Sequence, residues 1–340
     1  MTRSLALVLC NKPWVLGLAV AGLLWGCQSA APVTDSSLSV APPAQIVFDD
    51  AVEITNGIVR LAVSPAAGRV VSFGYAGGEN LLWINQDSIY DPPTQADAYY
   101  NIGGDKLWVA PQPLWKNAFG HDNWPPDGVI DGQAWILVEQ TNDSLTIQSP
   151  ESPDYGVVVR RTFHLPPKKS QAVITNAILR IHANPHPLQI WSVTQIKQPR
   201  AAVLDLAPDA PAMPSAYITM TDETPAKVAG YVQTLGENAA IEWTQQGNAH
   251  AKLGSLGRWV AGVYDGMIFR QSTDFDPNGA YPEASSVQVY RAGDYTELEL
   301  LSPLIQLAPG ETLTNTVTWA LMEMTEELDA NAFLLAADPK

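Results

Sequence analysis

The chain has 340 residues, with 35 acidic against 19 basic side chains, a formal net charge of −16 and only two cysteines. Such an acidic surface repels phosphate backbones and anionic bilayers, which argues against nucleic acid as a partner, while neutral sugars carry no such penalty. Two cysteines cannot build a disulfide framework, so a chain of this length must be held by a buried core.

In chain order, the first element reads as an export signal. Arg3 and Lys12 precede an uncharged run from Trp14 to Trp25, too short to span a bilayer, which ends at the small residue Gly26. Leu24-Trp25-Gly26-Cys27 resembles the lipobox of bacterial lipoproteins, in which the cysteine is acylated and becomes the new N-terminus. Residues 1–26 are therefore expected to be a lipoprotein signal peptide and Cys27 the lipidation point; an ordinary secretory peptide with a chance cysteine is the plainer alternative. Cys10 lies in the removable segment, so no disulfide is expected afterwards. From Gln28 to Gln45, Ser, Ala, Pro and Thr dominate, and residues 27–45 read as a lipidated cysteine with a flexible tether. Gln28 stands where an aspartate would resemble the inner-membrane retention signal. The expected location is thus the outer membrane, facing the periplasm, with membrane contact through the lipid on Cys27.

Residues 46–340 read as one domain. Short runs alternating β-branched or aromatic residues with polar ones are separated by Gly, Asn, Asp and Pro. Strands are expected at Ile58–Val63, Gly68–Tyr75, Trp135–Gln140, Ser144–Gln148, Gly156–Phe163, Ala172–Ile181 and Leu188–Ile196. More follow at Ala240–Gln245, Arg258–Phe269, Ser286–Arg291, Tyr295–Leu301 and Thr312–Leu321. In the last of these, Thr312, Thr314, Thr316 and Thr318 fall on one side and Leu313, Val317 and Trp319 on the other. Tight turns between neighbours fit antiparallel hairpins, and so many strands predict an all-β, large antiparallel two-sheet sandwich. A short helix is expected only at Glu326–Ala336. Residues 85–132 read as a long irregular stretch.

That stretch is rich in aromatics: Trp108, Trp115 and Trp124, with Asp105, Lys106, His121 and Asp122 among them. Indole faces stack on the apolar faces of sugar rings, and charged groups beside them bond ring hydroxyls. These seven residues form a candidate ligand site; the bland alternative is an aromatic plug over one end of the sandwich. A second cluster holds Glu283, Gln288, Tyr290, Tyr295, Glu297 and Glu299. On a strand, Glu297 and Glu299 point the same way about 7 Å apart, which suits acid and base work across a glycosidic bond but also describes an ordinary wet sheet face. His182 and His186 have ligand-like spacing, yet Pro185 and Pro187 forbid a helix that would converge them, and no metal site is expected. Phosphate loops, dinucleotide fingerprints and serine elbows are absent from the sequence, and no cofactor is expected.

Several segments together carry a resemblance: Asn56-Gly57-Ile58-Val59, Gly68-Arg69-Val70-Val71-Ser72-Phe73, Gly78-Glu79-Asn80, Gly103-Gly104-Asp105-Lys106-Leu107-Trp108-Val109-Ala110-Pro111, Pro126-Asp127, Gln288-Val289-Tyr290, Glu297 to Pro303 and Leu307 to Thr312. Over most of residues 46–322 the chain resembles the galactose mutarotase-like superfamily, and especially its uncharacterised branch, domain of unknown function 4380. The resemblance implies a supersandwich whose concave face binds carbohydrate. It also implies a histidine that protonates the ring oxygen and a glutamate that takes the anomeric proton. The matching mid-chain strand reads Gln189-Ile190-Trp191-Ser192-Val193-Thr194-Gln195 and holds no histidine.

The leading expectation is accordingly an envelope lipoprotein that binds carbohydrate without turnover, stacking it on Trp108, Trp115, Trp124 and Trp191 and contacting it through Asp105, Lys106, His121, Asp122 and Glu297. One alternative is a sugar enzyme, either an epimerase pairing His121 with Glu283, Glu297 or Glu299, or a lyase or hydrolase using Glu297 and Glu299. Another is a scaffold for a second envelope protein, its identity unknown.

Overall fold

The computed structural model describes residues 48–86, 99, 101–115, 124–212, 217–219, 228, 230–236, 239–244 and 250–324. The expected export signal, Cys27, tether, C-terminal helix, His121 and Asp122 all lie outside the described residues.

Nineteen strands occur among the described residues: β1 (Val52–Thr55), β2 (Val59–Ser64), β3 (Arg69–Tyr75), β4 (Asp105–Ala110), β5 (Ile136–Gln140), β6 (Ser144–Gln148), β7 (Val157–His164), β8 (Gln171–Arg180), β9 (Gln189–Lys197), β10 (Ala201–Asp205), β11 (Ile218–Thr219), β12 (Val232–Leu235), β13 (Ala240–Thr244), β14 (Ala251–Ser255), β15 (Trp259–Tyr264), β16 (Met267–Thr273), β17 (Val287–Arg291), β18 (Tyr295–Leu301) and β19 (Thr312–Glu323). They form a nine-stranded sheet, β1-β2-β3-β4-β9-β18-β17-β14-β11, and a ten-stranded sheet, β12-β13-β10-β15-β16-β19-β8-β7-β6-β5. Every pairing between these strands is antiparallel.

The sequence pattern explains which faces meet. Along β8 burial alternates residue by residue, and along β19 Leu313, Val317 and Trp319 are buried while Thr312, Thr314 and Thr316 are exposed, as a two-residue period requires. Phe73 of the first sheet meets Phe269 and Trp319 of the second, with ring centroids 5.4 and 5.0 Å away. This aromatic knot lies in the main hydrophobic core.

Two expectations need correction. Residues 105–110 were read as part of an irregular stretch, but they form β4, in the middle of the nine-stranded sheet between β3 and β9. All six are buried, so the strand has no wet face to produce an alternating pattern. Arg258–Phe269, read as one strand, is a hairpin: β15 turns at Asp265-Gly266 into β16, with Gly266 at φ +76°.

Gly103 and Gly104 fix the entry to β4. Both have positive φ, +94° and +74°, and a Cβ on them would stand 2.2 Å from Trp83 O and 2.3 Å from Val70 O. Only glycine lets the neighbouring backbones approach this closely at that conformation.

Candidate functional site

The two-residue period of β4 sends its side chains to opposite destinations. Asp105 points between the sheets. There its carboxylate accepts from Arg161 Nη2 at 2.5 Å and Thr194 Oγ1 at 2.8 Å, while Arg161 also donates to Asn176 Oδ1 at 2.9 Å. Asp105 was expected among ligand contacts; it is instead spent on a buried ion pair that ties one sheet to the other.

Lys106 and Trp108 point the other way, onto the outer face of the nine-stranded sheet. Register carries that face across the ladder: Trp108 pairs with Trp191, Gln195 with Glu297, Val193 with Glu299, Gln288 with Glu299 and Tyr290 with both Glu297 and Lys252. A hollow of about 260 Å³ opens there, lined by Tyr99, Trp108, Gln112, Trp124, Trp191, Lys252, Tyr290, Tyr295 and Glu297. Of the residues singled out from the sequence, Trp108, Trp124, Trp191, Tyr290, Tyr295 and Glu297 meet in it.

Aromatic edges hold the walls. Trp108 meets Trp191 edge-on at 5.0 Å and Trp124 at 5.6 Å, and Tyr99 meets Trp124 at 4.6 Å. Asp131, itself tied to Arg69, accepts from Trp108 Nε1 at 2.8 Å, which fixes that ring. Trp124 is 45% exposed, whereas Trp108 and Trp191 are each 3% exposed and offer only ring edges or part-faces. Trp115, expected as a stacking surface, is sealed beneath: it is fully buried, donates to Val109 O at 2.8 Å and backs the ring of Trp108.

The polar groups have distinct environments. Glu297 is half-buried and accepts from Gln195 Nε2 at 2.8 Å. Glu299 is fully buried, one step deeper, where Lys252 Nζ at 2.7 Å and Trp191 Nε1 at 2.6 Å both donate to its Oε2. Burial above all, opposed by Lys252 and reinforced by Glu297, pushes its carboxyl up to about 7. Lys106 is also buried, its Nζ 5.0 Å from the Trp108 ring and without a hydrogen-bond partner among the described residues; burial lowers its ammonium to about 8 despite the attraction of Glu297. The Tyr295 hydroxyl is raised by burial and by Glu297, and that of Tyr290 by burial, Glu297 and Glu299. Glu283 lies apart from the lining, accepting from Gln288 Nε2 at 2.7 Å.

Sequence reading missed Lys252, which stands alone in the chain and meets the site only through the β14–β17 ladder. His250 lies at the edge of the same strand, its Nδ1 2.8 Å from the Tyr290 hydroxyl. The resulting surface is chemically amphipathic: ring edges to pack against C–H faces, with a carboxylate, an ammonium and phenols to bond hydroxyls.

The sequence profile described as Domain of unknown function (DUF4380) matches residues 50–322. A search of curated proteins returns no match. Among solved structures, an Escherichia coli K12 protein provisionally named an aldose 1-epimerase superposes with a TM-score of 0.56 at 16% identity, over 81% of this chain and 99% of its own. A galactose mutarotase-like protein from Lactobacillus casei ATCC 334 gives 0.50 at 6% identity, over 80% of this chain and 100% of its own. A TPR-domain containing protein from Parabacteroides distasonis ATCC 8503 gives 0.52 at 14% identity, over 82% of this chain and 48% of its own. With a profile spanning most of its length and a two-sheet antiparallel architecture shared with such structures, the chain belongs to the family described as Domain of unknown function (DUF4380) and has a galactose mutarotase-like fold.

Proposed function

We propose that this protein is an envelope lipoprotein whose outer-face hollow binds carbohydrate and releases it unchanged. The observation that carries the reading is the lining itself: Trp108, Trp124 and Trp191 converge with Tyr99, Tyr290 and Tyr295 around Glu297 and Lys252. Indoles and phenols cover the apolar faces of a sugar ring, while the two charged groups take hydroxyls at its edge. The names of the structurally similar proteins, an aldose 1-epimerase and a galactose mutarotase-like protein, point to the same ligand class. Ring opening needs an acid and a base on one sugar. The described lining offers Glu297 as a base but no histidine as its partner, which favours binding over turnover.

Intrinsic tryptophan fluorescence, titrated with neutral mono- and oligosaccharides, tests the binding. A saturable change is expected for at least one sugar, and it should weaken about tenfold in Trp124→Ala, whose exposed ring is removed without opening the core. A panel without any response would overturn the reading. Polarimetry on freshly dissolved aldoses separates binding from turnover: the expected mutarotation rate equals that of buffer. The anchor is tested by metabolic labelling with a fatty acid, expected to mark the wild-type chain and not Cys27→Ala.

A further inference from the structure

Among the described residues, the buried outer-face oxygens without a hydrogen-bond donor include Glu299 Oε1 and Gln288 Oε1. They belong to residues directly opposite each other in the β17–β18 ladder. Both donors that reach Glu299, Lys252 Nζ and Trp191 Nε1, go to its other oxygen. Gln288 cannot turn to help, because its amide nitrogen is held by Glu283 Oε2 and Ser285 Oγ, each at 2.7 Å. Acceptors sealed from water without a donor are costly, and a proton on Glu299 Oε1 would give the residue an O–H to offer the amide oxygen of its ladder partner.

We propose that Glu299 carries a proton shared with Gln288, and that gain or loss of this proton decides whether Lys252 faces the hollow as a free charge or as half of a neutral pair. Glu299 is thereby the residue that selects between neutral and carboxylate-bearing sugars. The charged and titratable groups around it act as follows. Lys252 of β14 favours the carboxylate, and Glu297 on the same strand opposes it. From β17, Tyr290 faces both carboxylates, while Lys106 of β4 faces Glu297 and Glu283 reaches the pair only through Gln288. Burial outweighs these, and the resulting value of about 7 lies where ordinary conditions populate both states. Protonated, Glu299 leaves the Lys252 ammonium, 4.6 Å from the Trp191 ring, without its ion-pair partner at the wall of the hollow, and an anionic sugar gains a partner. Ionised, it cancels that attraction. Lys252 thus reads charge and Glu299 sets what it reads.

The sugar selection rests on the binding function proposed above, whereas the proton does not, and the test keeps them apart. Without ligand, the fluorescence of Trp191, whose indole donates to Glu299, is followed from about pH 5 to about pH 9. A transition near 7 is expected in the wild type, absent from Glu299→Gln and from Trp191→Phe. Gln288→Leu, which removes the acceptor of the shared proton, should move the midpoint down. A flat wild-type profile, the same transition in Glu299→Gln, or an unmoved midpoint in Gln288→Leu would overturn the proposal. With ligand, the affinity ratio of glucuronate to glucose should fall as pH rises through 7 in the wild type and stay constant in Glu299→Gln. A constant wild-type ratio with both sugars bound sinks the selection. Absence of binding by either sugar, with the ligand-free transition present, sinks the carbohydrate function and leaves the proton standing.

Discussion

Lys106 and Glu299 are charged groups buried on one face, and each carries a measurable cost. Lys106 loses more by burial than Glu297 returns, so its folded pKa falls to about 8 from 10.5. The unfolded chain therefore binds the proton more tightly between these values, and stability climbs with pH across that window; at neutral pH the folded state bears a buried, unpaired ammonium. Lys106→Met should raise stability at pH 7 by on the order of 2 kcal/mol and remove that climb, as read by denaturant unfolding at several pH values. For Glu299 the sign is opposite in pH. Its folded value is raised from 4.5 to about 7, so its contribution is fully present below 4.5 and is lost as pH rises through 7. Melting temperatures of the wild type should fall over that interval more steeply than those of Glu299→Gln. The sequence identified Glu297 and Glu299 as sharing a face; which one is sealed depends on Lys252 and Trp191 from other strands.

At the scale of elements, β4 decides how the site is assembled. Its entry requires Gly103 and Gly104, and Gly104→Ala should cost several kcal/mol, on the order of 3, because the added carbon meets Val70 O at a positive-φ position. Thermal unfolding of the variant measures it. Removing one half of the cross-sheet pair is expected to be as damaging: Arg161→Met strands Asp105 at a loss of about 3–5 kcal/mol, and adding Asp105→Asn should restore much of it, a non-additivity read in a double-mutant cycle. β7, β8 and β19 were legible because burial alternates along them, and strands buried on both faces, such as β2, β3 and β9, because of their β-branched and aromatic runs between turn residues. β4 was hidden because it begins with two charged residues and sits among prolines and asparagines, which break up its apolar run. Read as a loop, the segment offers no alternation to separate Asp105 from Lys106 and Trp108. The tryptophans themselves were visible, since clustered indoles need no knowledge of topology, whereas Lys252 becomes a neighbour only when four strands are laid side by side.

For the molecule as a whole, the same antiparallel plan leaves one conspicuous margin. β5 closes the ten-stranded sheet and pairs only with β6 among the described strands, and its Ile136, Leu137 and Val138 are 61, 41 and 45% exposed. Consecutive apolar residues on an unpaired edge template association with further strands, against which acidic repulsion at a net charge of −16 works only at a distance and fades with salt. Leu137→Lys should lower concentration-dependent light scattering at high salt without changing sugar titrations.

β4 also serves as a two-sided zipper tooth. Its odd-numbered members weld the molecule shut and its even-numbered members furnish the cup. Shifting that hexapeptide by a single position would tip a carboxylate outward and drive an indole into the seam, spoiling adhesion and reception in one stroke. Substitutions at the rim, at Trp124 or Tyr290, leave that alternation intact, whereas one residue added or removed between Gly104 and Trp108 inverts it and dismantles the wall behind the cup.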